Sequence, residues 1–174
     1  MQIFITDLKK IINRQDFISV CSQRLCKNDF KRFQRITNEH RALQFLVGRM
    51  LISEQFGTDF EILPTGKIVS SKGYLSLAHS NRFVVLATDD NPIGIDIEKT
   101  DETRDFQKMA SRMNFGTCQT PKDFYKKWTA YEADFKLGLE FKNPKHQFIE
   151  HEEFIICISS LTSKTAEIIE RKLS

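Results

Sequence analysis

From residue 28 onward the apolar positions fall into runs with two different periods. NDFKRFQRI and NEHRALQFLVGRMLISEQFG space them three and four apart, which predicts two helices. The second is opened by Asn38 and closed by Gly57, with Leu43, Leu46, Val47, Met50 and Leu51 on one face, expected in the core. FEILPTGKI predicts a strand running into a Pro-Thr-Gly turn. YLSLAHS, FVVLATD and IGIDIE predict three strands joined by the short polar turns SNR and DNP, a meander. Residues 104–113 fit a helix, GTCQTP breaks the chain, and DFYKKWTAYEADFKLG predicts a helix of about four turns ending at Gly138. HQFIE and EFIICIS read as two closing strands and TAEIIERKL as a terminal helix. No low-complexity linker divides the chain. Helices, strands, a helix and strands in that order predict an α+β fold, with helices packed on antiparallel sheets.

Composition narrows the class. The 174 residues are 40% hydrophobic and 28% charged, as in a compact domain rather than a disordered chain. No run approaches the ~18 apolar residues of a membrane span, and MQIFITDLKKII lacks the features of a signal peptide, so a cytoplasmic protein with no membrane role is expected. Cys21, Cys26, Cys118 and Cys157 form no CxxC pair and read as reduced packing thiols. His40, His146 and His151 have no metal-ligand spacing and read as surface or packing residues. The net charge of +3 is uneven: residues 1–49 hold ten Lys/Arg against four Asp/Glu, so they carry +6 and the remainder −3. A basic front half points to an anionic ligand.

The candidate chemistry lies at the end of IGIDIEKT. Alternate strand side chains share a face, so Asp96 and Glu98 point one way and Ile93, Ile95 and Ile97 the other. Two acids so placed are either the wet face of a half-buried strand or a pair of oxygen ligands. Mg²⁺ takes one or a few carboxylates and completes its octahedron with water and phosphate oxygens. Trp128, Glu132 and Lys136 are spaced four apart on one helical face. Glu132 and Lys136 are either an ordinary i,i+4 surface pair or part of the same centre, and Trp128 reads as a packing residue. PTGK would present Lys67 on a tight turn, and AHS would offer His79 and Ser80 where a strand ends.

Taken in order, RALQFLVGRMLI, LPTGKI, LSLAHS, IGIDIE and FYKKWTAYEADFKLGLE resemble the 4'-phosphopantetheinyl transferases, in particular the longer, pseudo-twofold type. The match spans about residues 38–140. The resemblance implies two similar halves in one chain, about 1–90 and 91–174, and hence a monomer. It implies Mg²⁺-dependent transfer of phosphopantetheine from coenzyme A to a serine hydroxyl of an apo acyl or peptidyl carrier protein, releasing adenosine 3',5'-bisphosphate. Fatty-acid, polyketide and nonribosomal-peptide carriers are all compatible. By the same resemblance Asp96, Glu98 and Glu132 are the metal ligands, and Glu132 takes the serine proton. Lys136 stands near the pyrophosphate, and Arg41, Lys67 and His79, with Ser80 beside them, grip the phosphates.

The chain departs from the family pattern at three places. Ala78 replaces a serine whose hydroxyl touches phosphate, Tyr131 replaces a lysine, and the segment between the halves is reduced to NFGTCQTP, without the acid found there in the family. Two other readings stand beside the transferase. One is a coenzyme A-binding homologue without transfer. The other is a nucleic-acid-binding module using the basic helices with Phe30 and Phe33; no nucleic-acid-binding motif appears, and nucleic acid is not expected as a partner.

Overall fold

The computed structural model describes residues 1–63 and 67–172. The chain opens with β1 (Gln2–Asp7), a 3₁₀ turn (Leu8–Lys10), α1 (Arg14–Ser22), α2 (Lys27–Phe33) and α3 (Glu39–Phe56). Two short strands, β2 (Glu61–Ile62) and β3 (Ile68–Val69), lead into β4 (Tyr74–Ser80), β5 (Phe83–Asp89) and β6 (Ile93–Lys99). Then come α4 (Phe106–Arg112), α5 (Pro121–Leu137), β7 (Lys145–His151), β8 (Phe154–Ser160) and β9 (Glu167–Glu170). The fold is α+β, with antiparallel sheets and packed helices. Among the described residues no helix is long and apolar enough to cross a membrane.

The two long helices carry their own boundary signals. Asn38 caps α3 by accepting from the Arg41 N–H, and Thr120 and Asp123 form a reciprocal capping box at the start of α5, with Pro121 in its first turn. Gly57 and Gly138 end these helices at positive φ, +64° and +130°. On α3, Leu43, Leu46, Val47 and Leu51 are buried as expected, while Met50 is half-buried.

Two sheets stack face to face. One has the order β4-β5-β1-β9 and the other β6-β8-β7. Period-two alternation sends Ile3, Ile5, Val85, Ala87 and Ala78 from the first sheet against Ile93, Ile95, Ile97, Ile156 and Ile158 from the second. On the first sheet's outer face, Phe4, Val84, Leu86 and Leu75 meet Leu43, Val47 and Leu51 of α3. On the second sheet's outer face, Ile155 belongs to a cluster with Phe124, Tyr125 and Ala110, joined by the half-buried Trp128. The layers therefore run helix, sheet, sheet, helix.

Three features differ from the sequence expectation. The meander is interrupted: β4 and β5 form a hairpin, but β5 pairs on its other edge with β1, and β6 crosses to pair with β8. Period and turn residues mark strands but do not assign partners, and the N-terminal strand and α1 were not expected at all. The expected terminal helix is instead β9, parallel to β1, with Ile169 packed on the cluster between the first sheet and α3. TAEIIERK has acceptable helix formers, yet the open edge of β1 supplies hydrogen-bond partners to an Ile-Ile pair that favours extended backbone. The FEILPTGKI strand is a pair of two-residue strands, and its Pro64-Thr65-Gly66 turn lies outside the described residues.

Candidate functional site

The site forms where α5 crosses β6. Gly94 makes the crossing possible, because a Cβ there would lie 2.0 Å from the Ala133 carbonyl oxygen and 2.7 Å from the Leu137 nitrogen. With Ile93, Ile95 and Ile97 in the core between the sheets, Gly94, Asp96 and Glu98 turn to α5. Lys136, in the last turn of α5, reaches Asp96 with Nζ 2.7 Å from Oδ1. The Asp96 side chain is only 9% exposed and that of Lys136 29%. Asp96 is thus buried rather than on a wet face, which removes the wet-face alternative for this acid. Its second oxygen, Oδ2, is buried with no hydrogen-bond partner.

Glu98 is half-buried and held from two sides. Ser80 Oγ donates to Glu98 Oε2 at 3.1 Å, and the Trp128 side chain hydrogen-bonds the same carboxylate, which only its indole N–H can do. Trp128 is a packing residue, as expected, with its ring against Phe124 and Phe115. It also fixes an acid, a role that the sequence reading missed, because the spacing showed only that Trp128, Glu132 and Lys136 share a face. Burial pushes the Asp96 carboxyl up to about 6 against the pull of Lys136, and the charges of Glu98 and Glu132 add to the rise. Burial also raises the Glu98 carboxyl, opposed by its bonds to Ser80 and Trp128. Glu98 and Glu132 therefore lie within electrostatic reach of Asp96.

They are not gathered as a ligand set. Among the described residues no three His, Cys, Asp or Glu side chains converge closely enough to hold a metal ion. Lys136 occupies Asp96 Oδ1, and Glu98 is engaged by Ser80 and Trp128. The donor chemistry nevertheless suits a hard divalent cation, because these are carboxylate oxygens and Asp96 Oδ2 is a buried acceptor lacking a donor.

The expected phosphate-binding residues fall around this centre unequally. Lys67 and Lys136 line one cavity of about 190 Å³, with Tyr74, Pro92, Leu137 and Phe141. His79 is exposed on β4; desolvation of its ring lowers its pKa, and the nearby Lys136, His40 and Arg41 lower it further. Ser80, expected to donate to phosphate, donates its hydrogen bond to Glu98 and accepts from the Lys99 N–H at 3.2 Å. Ser76 does the same for the Ile95 N–H at 3.0 Å, so two hydroxyls of β4 tie down the free edge of β6. Ala78 lies between them, 4% exposed in the core between the sheets, so its position does not face the cavity.

No protein-family model matches this chain, and no curated protein matches it. Other charged clusters have settled partners. His40 Nε2 donates to the Asn81 carbonyl, His151 packs edge-on against Phe83, and His146 Nε2 is 2.7 Å from Asp134. The Ser159 hydroxyl donates to Asp134 and not to His146, so this trio has no serine activated by a base. The basic front half gathers Arg24, Lys31, Arg32 and Arg35 around a cleft of about 510 Å³ between α2, α3 and β2. In the same wall Arg49 is neutralised by the buried Asp29 at 2.9 Å.

Proposed function

We propose that this chain transfers 4'-phosphopantetheine from coenzyme A to a serine hydroxyl of an apo acyl or peptidyl carrier protein, in a Mg²⁺-dependent reaction. The observation that carries the proposal is the buried Asp96, paired with Lys136 on one oxygen and unpartnered on the other, beside Glu98 and Glu132. Carboxylates are buried at such cost chiefly where a cation compensates them. Asp96, Glu98 and Glu132 are the residues that would hold Mg²⁺, which neutralises charge growing on the bisphosphate leaving group.

The chain's own residues then divide the work. Lys67 and Lys136 hold the diphosphate in the cavity they line, Arg41 adds positive charge nearby, and His79, its pKa lowered, offers a neutral ring N–H. Glu132 takes the proton as the serine oxygen bonds to the pantetheine-side phosphorus. The bond from that phosphorus to the bridging oxygen breaks, and adenosine 3',5'-bisphosphate leaves with Lys136 beside the new charge. The basic cleft raises the potential met by coenzyme A and by an acidic carrier. In this proposal the two sheet-and-helix layers are pseudo-twofold halves that complete one site within a monomer.

A second reading, coenzyme A binding without transfer, is favoured by the dispersed placement of the three carboxylates. Incubation with coenzyme A, Mg²⁺ and a panel of apo carriers, read by intact mass, separates the two. Transfer predicts a phosphopantetheine increment on at least one carrier, lost with Glu132→Ala and Asp96→Ala. Coenzyme A binding by calorimetry with no increment on any carrier overturns the proposal in favour of the binding protein.

A further inference from the structure

We propose that Lys136 is an exchangeable internal counter-ion that masks Asp96, so that a divalent cation and a diphosphate ligand enter the site as a coupled pair. The inference rests on the proposed function only in that the site takes both. Three observations lead to it. Asp96 is fixed on a central run of β6 and nearly all buried, with Oδ1 on Lys136 Nζ at 2.7 Å and Oδ2 without a partner. Lys136 leaves α5 in its last turn and stays 29% exposed, so its ammonium can change partner by rotating a long side chain while the helix stays in place. The same side chain lines the cavity that Lys67 also lines.

One ammonium therefore stands between two anions, the Asp96 carboxylate and whatever anion fills the cavity. While it bonds Asp96, a cation approaching that carboxylate meets a positive charge in its place. When a diphosphate enters between Lys67 and Lys136, the ammonium can turn to phosphate, and both Asp96 oxygens become available. Each ligand thus removes an obstacle to the other, and by linkage the effect is reciprocal. The dispersed arrangement of the three carboxylates is then the masked state of the site.

The decisive measurement is Mn²⁺ binding by calorimetry without any phosphate ligand, at pH 8.5, on four proteins. Lys136→Met should bind Mn²⁺ at least tenfold more tightly than wild type. Lys136→Arg, which keeps a cation on Asp96, and Lys67→Met, which removes a cavity cation not on Asp96, should stay within about threefold of wild type. Equal or weaker Mn²⁺ affinity in Lys136→Met overturns the proposal. A matching gain in Lys67→Met also overturns it, since the effect would then be the general field of the cavity. Failure of all four to take up Mn²⁺ overturns it as well. If Lys136→Met does not fold, wild type carries the test: saturating Mn²⁺ must tighten coenzyme A binding at least tenfold, and unchanged affinity overturns the exchange. Failure to modify any apo carrier would remove the transferase reading while leaving the Mn²⁺ comparison intact.

Discussion

The two sheet-and-helix layers share an order of elements but fill the space between strand and helix differently. β1, α3, β4 and β5 give the strand order β4-β5-β1, and β6, α5, β7 and β8 give β7-β8-β6. In the first layer Phe4, Leu75, Val84 and Leu86 fill the gap to α3 with hydrocarbon. In the second, β6 presents Gly94, Asp96 and Glu98 to α5, and the gap holds carboxylates and an ammonium. The first arrangement gains from apolar burial, whereas the second gives up some of that gain to keep ionisable groups out of water. The carboxylates and the ammonium of the candidate site are thus concentrated in one of the two layers.

The sharpest way to break this comparison is at the glycines on which each layer closes. Gly48→Ala on α3 meets only the end of the Leu77 side chain, at 2.8 Å, which can rotate aside, and alanine favours the helix interior. Its expected effect on stability is within about 1 kcal/mol. Gly94→Ala meets α5 backbone at 2.0 Å and has nowhere to go. It should cost about 3 kcal/mol or more by urea unfolding, or prevent folding. Equal costs at the two positions would show that α5 does not rest on β6.

The next largest effect concerns two buried aspartates. In Asp89 of β5, burial raises the pKa, but hydrogen bonds from Asn91, Lys164 and the Met1 ammonium outweigh it and leave the carboxyl well below the usual range. In Asp96 burial wins, and the carboxyl lies near 6. The signs are opposite. An unfolded aspartate titrates near ~3.9, so between about pH 4 and 6 the native state holds the Asp96 proton more tightly than the unfolded chain. That stabilisation is present below pH ~4 and is lost as pH rises through 6, by up to about 3 kcal/mol. The Asp89 contribution is present above pH ~4 and is lost only on further acidification, so the windows do not overlap. Chemical unfolding followed from pH 4 to 7 should show stability falling in wild type and falling less in Asp96→Asn. An identical slope in the two proteins would place Asp96 in water.

How much of this was legible depended on whether a feature was local. Helical periods, Asn38, Gly57 and Gly138 mark α3 and the end of α5 closely, because caps and amphipathic faces are written within one segment, while the Thr120 cap of α5 falls in the stretch that reads as a break. The alternation of IGIDIE told which residues share a face but not that both faces are buried, since that depends on α5, whose Lys136 lies 40 residues beyond Asp96. Strand partners were illegible for the same reason: β1 waits for β5 and β9, and β6 for β8. The spacing of Trp128, Glu132 and Lys136 predicted a common face. It did not predict that the indole serves Glu98 and the ammonium Asp96, because those partners lie across the helix–sheet gap.

Trp128→Phe sharpens the comparison further. The ring packing against Phe124 and Phe115 would be retained, and only the hydrogen bond to Glu98 lost. The stability cost should be about 1.5 kcal/mol, the lower end for one hydrogen bond to a charged group, because Glu98 is half-buried. If Glu98 serves the proposed reaction, transfer should fall by more than that loss of stability explains. An unaltered rate with full stability would mean that Ser80 alone orients Glu98.

The smallest expected effect lies on the seam between the layers. Ser76 and Ser80 accept from the Ile95 and Lys99 N–H groups, and the alternation of the ladder turns the Ile97 N–H toward the same edge. Ala78 sits between the two serines with a methyl group where they have hydroxyls. A serine at this position resembles the family pattern, in which the hydroxyl is read as a phosphate contact. Here the side chain is buried between the sheets, so its first available partner is the edge of β6 and not a ligand. Ala78→Ser should therefore stabilise the protein by about 0.5–1 kcal/mol if the new hydroxyl accepts from Ile97, while leaving coenzyme A affinity unchanged. Destabilisation by about 1–3 kcal/mol, the cost of burying an unpaired hydroxyl, would show that the Ile97 N–H is already satisfied. Tighter coenzyme A binding would instead place position 78 in the phosphate site and overturn the burial argument.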